Sequence, residues 1–384
     1  MIHIYHYLRD FPADAPRING GLEKAVAGLA AGSVGEAGLK CTVLCEGAGE
    51  LDIVRAEGYP VRRFDNSQTR TRQFAVARSL ANFVAHELEP DALVVLHAMF
   101  NTSVNRMSKL LRKRGVRYVV APHDPYHPAI FASGRLKKAI YWRLFERPML
   151  RHAATVQVLD ARHEKYLRDR GVNTRVIEVG NGFAPEEVID ESKLVWRDSG
   201  EIRLLFLGRL DPVNKGIDLL IDAFARIAAD RSDVQLTLQG PDVGEGTVVG
   251  RRVRHRRLEQ RIEVLPPDYK STASELAAKH DLFLLPSRFE GFGLSAMEAM
   301  LAARPVLISD IAGLAPHVRR AQAGEVVDST VESIRSGIER LIAQRQNWRA
   351  IGMRGRDYVL HNLRWETIAH KANQAYRSLL ASPV

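Results

Sequence analysis

His280–Asp310 reads HDLFLLPSRFEGFGLSAMEAMLAARPVLISD, and this stretch decides the fold. An apolar run short enough for a strand leads into a turn bearing glycine, then a helical segment, then a second apolar strand. Strand, helix and strand in that order are a parallel crossover unit, and open parallel sheets take their ligands where strands end and helices begin. Gly291 and Gly293 let backbone approach a ligand closely, and the free N–H groups at a helix start favour an anion. Two acidic residues, Glu290 and Glu298, stand eight positions apart around that turn. A phosphate-bearing ligand is therefore expected here.

The same rhythm runs outward in both directions. Upstream, IRLLFLGRL, VQLTLQGPD and RIEVLPP alternate with helical stretches such as IDLLIDAFARIAAD. The first half carries MIHIYHYL, KCTVLCEG, ALVVLHAMF, RYVVAPHD, ATVQVLD and RVIEVGNGF as strand candidates between amphipathic segments. The polar, acidic stretch 184–200 interrupts the alternation and reads as a linker. The expected fold class is α/β, two doubly wound Rossmann-like parallel-sheet domains facing across a cleft. The expected boundaries are 1–183, a linker 184–200, 201–365, and a last helix at 366–384 that returns to the first domain.

Composition is that of an ordinary globular chain: 384 residues, 46% hydrophobic and 26% charged. No apolar run reaches membrane-spanning length, and the start MIHIYHYLRDF is a strand interrupted by polar side chains. A cytoplasmic protein is expected. Cys41 and Cys45 share one strand candidate, which would hold them about 13 Å apart at about 3.3 Å per residue, too far for a disulfide. No cysteine and histidine cluster has zinc spacing, so no metal is expected. The formal charge of +10 is partly local, since 103–117 carries six basic residues and no acid, and 134–151 carries six against Glu146 alone. In the second segment Leu136, Ile140, Leu144 and Phe145 recur at helical spacing. One reading is a solvated basic face over a buried apolar stripe. The other is peripheral docking on an anionic membrane. Neither segment belongs to a base-reading motif, so nucleic acid ranks last.

The first strand is not followed by G-x-G-x-x-G and the chain has no P-loop, which argues against a dehydrogenase and an ATPase. What remains is a set of anion-handling residues at strand ends. Gly20 and Gly21 precede a helix and could offer N–H groups to phosphate, although a plain loop before a helix looks the same. Arg209 follows a strand and Lys215 precedes a helix in FLGRLDPVNKGIDLL; by themselves they equally describe two surface cations. His123, and His97 by the same logic, end strands and could bond a sugar hydroxyl, with Asp124 a possible orienting partner for His123. Ser295 to Glu298 also fit a helix-capping box, which would turn Glu298 to its own helix.

Taken together, GLEK after the glycine pair, PHD at a strand end, GRL with NKG, LPSRFEGFGLSAMEAM and the terminal W-E helix resemble retaining glycosyltransferases of family 4, with the two-domain GT-B fold. The resemblance covers nearly the whole chain, and E-x7-E containing G-F-G is its most specific part. It implies that Arg209 and Lys215 hold a donor diphosphate and that Gly20 and Gly21 belong to a loop closing over phosphate and acceptor. It implies that Glu290 lies near the transferred sugar and that Gly291, Phe292, Gly293 and Leu294 contact sugar hydroxyls and phosphate. It places Glu298 on the ribose hydroxyls and His123 near the sugar's C6 hydroxyl. The departures are Gly180-Asn181-Gly182 where P-N-G is common, Asp124 where glycine often follows the histidine, and Pro266-Pro267 where a glycine usually helps frame the base.

The resulting expectation is a retaining hexosyltransferase moving glucose from UDP-glucose to a glycan or lipid-linked acceptor, in surface polysaccharide assembly, with no resident cofactor. A leaving diphosphate develops charge that preorganised cations stabilise most in the transition state. The alternatives are a sugar-nucleotide epimerase of the same architecture and a noncatalytic basic nucleic-acid binder.

Overall fold

A computed structural model of the chain describes residues 1–67, 75–132, 134–242, 244 and 246–381. The chain divides into two compact units, Met1–Gly182 with Trp365–Val384, and Phe183–Arg364. Of the expected terminal helix, residues 382–384 lie outside the described ones.

In the first unit the strands are β1 (Ile2–Tyr7), β2 (Leu39–Gly47), β3 (Leu51–Val54), β4 (Pro60–Asp65), β5 (Leu93–His97), β6 (Arg117–Ala121), β7 (Thr155–Val158) and β8 (Val176–Glu178). They form one sheet in the order β3-β4-β2-β1-β5-β6-β7-β8. All neighbouring pairs are parallel except β3 with β4. Every residue of LVVLH in β5 is buried, because helices cover both faces of a parallel sheet. The chain runs from β1 to one side through β2 and β4, then restarts on the other side of β1 with β5. The carboxyl ends of β1 and β5 are thus the switch point of this sheet.

The second unit has β9 (Ile202–Leu207), β10 (Val234–Gln239), β11 (Ile262–Leu265), β12 (Leu282–Leu285), β13 (Val306–Ser309) and β14 (Gly324–Val327). They form an all-parallel sheet ordered β11-β10-β9-β12-β13-β14. Its switch point lies between β9 and β12. Strands β3, β4 and β14 are absent from the sequence expectation; they are short edge or near-edge strands with partly exposed side chains, and so lack a continuous apolar run.

Two expectations change. Residues 184–200, read as a linker, lie inside the second unit: Glu187 is buried and its carboxylate accepts from Ser274 N–H, Leu194 is buried, and the Arg304 and Arg356 guanidiniums donate to the carbonyls of Val195 and Ile189. Hydrogen bonds from buried arginines to its backbone carbonyls hold the segment in place although it has no periodic apolar pattern. Leu136, Ile140 and Leu144 do not form a buried stripe either, being 75%, 50% and 59% exposed. Five residues of π-helix, Trp142–Glu146, separate the helices Arg135–Tyr141 and Arg147–His152. The buried residues of this stretch are Trp142, Glu146, Met149 and Leu150.

The last helix, Trp365–Ala381, packs on the helix Gly21–Gly32 of the first unit. A Cβ on Gly28 would stand 2.0 Å from the Trp365 ring, and one on Gly32 2.5 Å from the Trp365 carbonyl oxygen. Gly28 thus makes room for the indole, and Gly32 for the backbone of the last helix at Trp365. Cys41 and Cys45 are free and buried. Among the described residues no helix is long and apolar enough to cross a membrane.

Candidate active site

The second unit gathers its motif residues at the switch point. β9 ends at Leu207 and the chain turns through Arg209, which is exposed, before the helix Ile217–Asp230 begins. Asp211 shapes the turn by accepting from the backbone and side-chain amides of Asn214 at 2.9 and 2.6 Å, a local carboxylate-to-backbone bond that favours turns over helix. Gly216 then adopts φ +67 as the residue before the helix, and a Cβ there would lie 2.1 Å from the carbonyl oxygen of Pro286. Only glycine lets the loop after β9 cross the loop after β12 so closely.

That crossing carries Lys215 to Glu290, with Nζ 2.7 Å from Oε2 and both side chains largely buried. Ser287 donates to the same oxygen at 3.1 Å, and Ser329 donates to the Ser287 carbonyl. Arg288 ties the two loops together. Its guanidinium holds Asp218 through two bonds of 2.7 and 2.8 Å and donates to Val213 O, while its backbone N–H donates to Asn214 O. The Asp218 carboxylate raises the Arg288 pKa further.

Past Glu290, Gly291 and Phe292 are pinned through their carbonyls by the N–H groups of Gly313 and Leu314. Gly293, at φ +103, precedes the helix Leu294–Leu301 with no side-chain cap. The expected capping-box alternative for Glu298 fails on this point, since Ser295 already lies inside the helix. Glu298 is buried, and its backbone carbonyl accepts from Ser274 Oγ. On the strand edge of this site, Gln239 at the end of β10 donates its amide to Pro266 O.

In the first unit, Gly20 precedes the helix Gly21–Gly32 in extended conformation, without a side-chain cap, and Gly21 is its first residue. His123 follows β6 with φ +65. Its Nε2 meets Nδ1 of His97 at 2.7 Å, so the partner on this nitrogen is another imidazole. His97 in turn meets His6. Sequence reading passed over His6, Ser287, Arg288 and Asp218. Their neighbours in the motifs were the available signal, but the pairing depends on which strands and loops adjoin.

Residues 190–358 match the family model of glycosyl transferases group 1, and residues 20–182 match that of the glycosyl transferase 4-like domain. The chain is 33% identical over 130 residues to the D-inositol 3-phosphate glycosyltransferase of Jonesia denitrificans, a match covering 32% of this chain and only 30% of that protein. It is 26% identical to the GDP-mannose-dependent alpha-(1-6)-phosphatidylinositol dimannoside mannosyltransferase of Mycobacterium tuberculosis, over 72% of this chain and 71% of the relative. Among solved structures, the Anabaena protein HepE in complex with UDP and glucose superposes with a TM-score of 0.74 at 19% identity, covering 98% of this chain and 99% of that one.

Proposed function

We infer the reaction from the family: the chain belongs to the glycosyltransferases of family 4, GT-B in fold, and it transfers glucose from UDP-glucose, with retention, to a glycan or lipid-linked acceptor. The observation that carries this reading is the Lys215–Glu290 pair at the switch point of the second unit, beside an uncapped helix start. A leaving nucleoside diphosphate needs positive charge at the moment the glycosidic bond breaks. Lys215, Arg209 and the free N–H groups at the start of the helix Leu294–Leu301 supply it in this proposal, with no resident cofactor. Gly291, Phe292 and Gly293 offer backbone to the sugar and phosphate, Glu298 takes the ribose hydroxyls, and His123 takes a sugar hydroxyl. Gly20 and Gly21 serve the acceptor side. Retention by same-face attack is favoured over double displacement because Glu290 Oε2 is already engaged by Lys215 and Ser287, which suits charge balance better than nucleophilic attack.

UDP is preferred as the base carrier because HepE, similar in fold, was solved with UDP and glucose; the mannosyltransferase relative, named for GDP-mannose, supplies the competing donor. A thermal-shift panel of UDP-glucose, UDP-galactose and GDP-mannose, followed by donor hydrolysis, tests the choice. UDP-glucose should raise Tm and release UDP, and Lys215→Ala should lower turnover about 100-fold or more. Response to GDP-mannose alone would overturn the donor, and intact turnover in the lysine variant would overturn the site.

For the acceptor we propose docking at an anionic membrane surface. Exposed Leu136, Ile140 and Leu144 stand among exposed Arg135, Lys137 and Arg143, the composition of an interfacial helix. Lys138 is a poor target for testing this, because its Nζ already donates to Ile130 O. Sedimentation with phosphatidylglycerol vesicles should be lost in Leu136→Asp with Ile140→Asp, and weakened by salt for the native chain. Equal sedimentation of both proteins would remove the membrane from the proposal.

A further inference from the structure

Three histidines of the first unit touch end to end across its switch point. His6 lies near the end of β1, His97 is the last residue of β5, and His123 follows β6; these three strands are neighbours in the sheet. Nδ1 of His6 meets Nε2 of His97 at 2.9 Å, and Nδ1 of His97 meets Nε2 of His123 at 2.7 Å. The backbone is left-handed at His123 (φ +65) and at Ala98 beside His97 (φ +92), and non-glycine strain of this kind gathers where a site must hold a side chain in place.

Burial holds all three imidazoles uncharged at neutral pH, lowering His6 to about 3, His123 to about 4 and His97 well below its ordinary value. A neutral imidazole has one N–H and one bare nitrogen. His97 uses both nitrogens within the chain, so it donates through one and accepts through the other. Only two orders are then possible. If His97 Nδ1 donates to His123 Nε2, then His6 Nδ1 donates to His97 and the remaining nitrogen of His123, Nδ1, carries hydrogen. If His123 Nε2 donates inward, His97 Nε2 donates to His6 and His123 Nδ1 is bare. A donor at one end of the chain obliges an acceptor at the other.

We propose that His6 and His97 are positioning residues that fix, through this directed chain, whether His123 Nδ1 donates to or accepts from a hydroxyl of the bound sugar. The proposal rests on the placement of His123 at the sugar given above. It predicts that a ring one or two strands away controls the hydrogen-bonding sense of His123 without touching substrate.

The test uses the full chain labelled with 15N-histidine, where a protonated ring nitrogen and a bare one resonate far apart, and where the His123 signals are assigned by their loss in His123→Gln. His123 should show one tautomer in the native protein and averaged signals in His97→Leu. Donor hydrolysis in His97→Leu should fall about fivefold to tenfold in kcat, the worth of one hydrogen bond, with KM little changed. His97→Gln, whose amide both donates and accepts, should recover part of the loss. Should His97→Leu fail to fold, His6→Leu makes the same comparison from the far ring. Averaged signals for His123 in the native protein, or an unaltered tautomer in both variants, would overturn the chain. Impaired turnover in His123→Ala with full turnover in His97→Leu and His6→Leu would overturn the positioning role alone, whereas full turnover in His123→Ala would sink the assignment of His123 to the sugar.

Discussion

Gly216 shows how much of the second unit's site depends on one missing methyl group. Its φ of +67 suits glycine, and the space where a Cβ would go is filled by the carbonyl of Pro286. Gly216→Ala should therefore incur two costs, left-handed strain and displacement of a packed backbone, together about 2–4 kcal/mol. Denaturant unfolding measures the first consequence. The second is kinetic: Lys215 retreats from Glu290 as the loops separate, so donor hydrolysis should fall as well. Gly250→Ala is the matched control, because its Cβ would meet only the end of the Arg254 side chain at 3.6 Å on a helix. There the change should be neutral or stabilising by about 0.5–1 kcal/mol.

At the scale of elements, the segment Arg135–His152 joins an exposed apolar face to a buried carboxyl. Glu146 ends its π-helical turn, and one carboxyl oxygen accepts from the Phe100 N–H at 3.0 Å and from the Tyr126 hydroxyl at 2.7 Å. The other oxygen, Oε2, is buried with no partner. Burial raises the carboxyl to about 7. Since the unfolded chain ionises it nearer 4.5, the folded state binds the extra proton between those values, and stability is lost as pH rises through that window. Glu146→Gln keeps an oxygen for Phe100 and Tyr126 and removes the charge. Its Tm should match the native protein's near pH 4.5 and exceed it at pH 8, by up to about 3 kcal/mol in stability. The histidine chain slopes the opposite way: its lowered pKa values withdraw stability as pH falls below about 6.5. An identical Tm for both proteins at pH 8 would mean that Glu146 ionises without cost.

For the molecule as a whole, the covalent order and the folding units disagree at the end of the chain. Trp365, Ile368, Tyr376 and Leu379 of the last helix are buried in the first unit, against Gly28, Leu29 and strands of its sheet. At about 1.5 kcal/mol or more for each large apolar side chain, their removal costs about 6 kcal/mol, comparable with a domain's whole stability of roughly 5–15 kcal/mol. A chain ending at Arg364 should lose the calorimetric transition of the first unit while that of the second persists. Survival of both transitions would show that the helix is dispensable to the first core.

Local pattern encodes burial, and burial is what made β5, β9, β12 and β13 readable: LVVLH, IRLLFL, LFLL and VLIS are apolar runs because helices cover both faces of the sheet. FEGFGLSAMEAM was readable for a related reason, since Gly293, which makes the left-handed turn before the helix, stands in the chain itself. The strand neighbours, however, are not written locally. That His6, His97 and His123 form one chain follows from β1, β5 and β6 lying side by side. That Lys215 reaches Glu290 follows from β9 adjoining β12. The exposure of Leu136, Ile140 and Leu144 was likewise invisible, because helical spacing marks a face without saying what covers it. Sequence alone determined the central, buried strands, while β3, β4 and β14 at or near the sheet edges escaped it. Only tertiary structure decided which ends meet, because hydrogen bonds and ion pairs act over about 3 Å and join residues tens of positions apart.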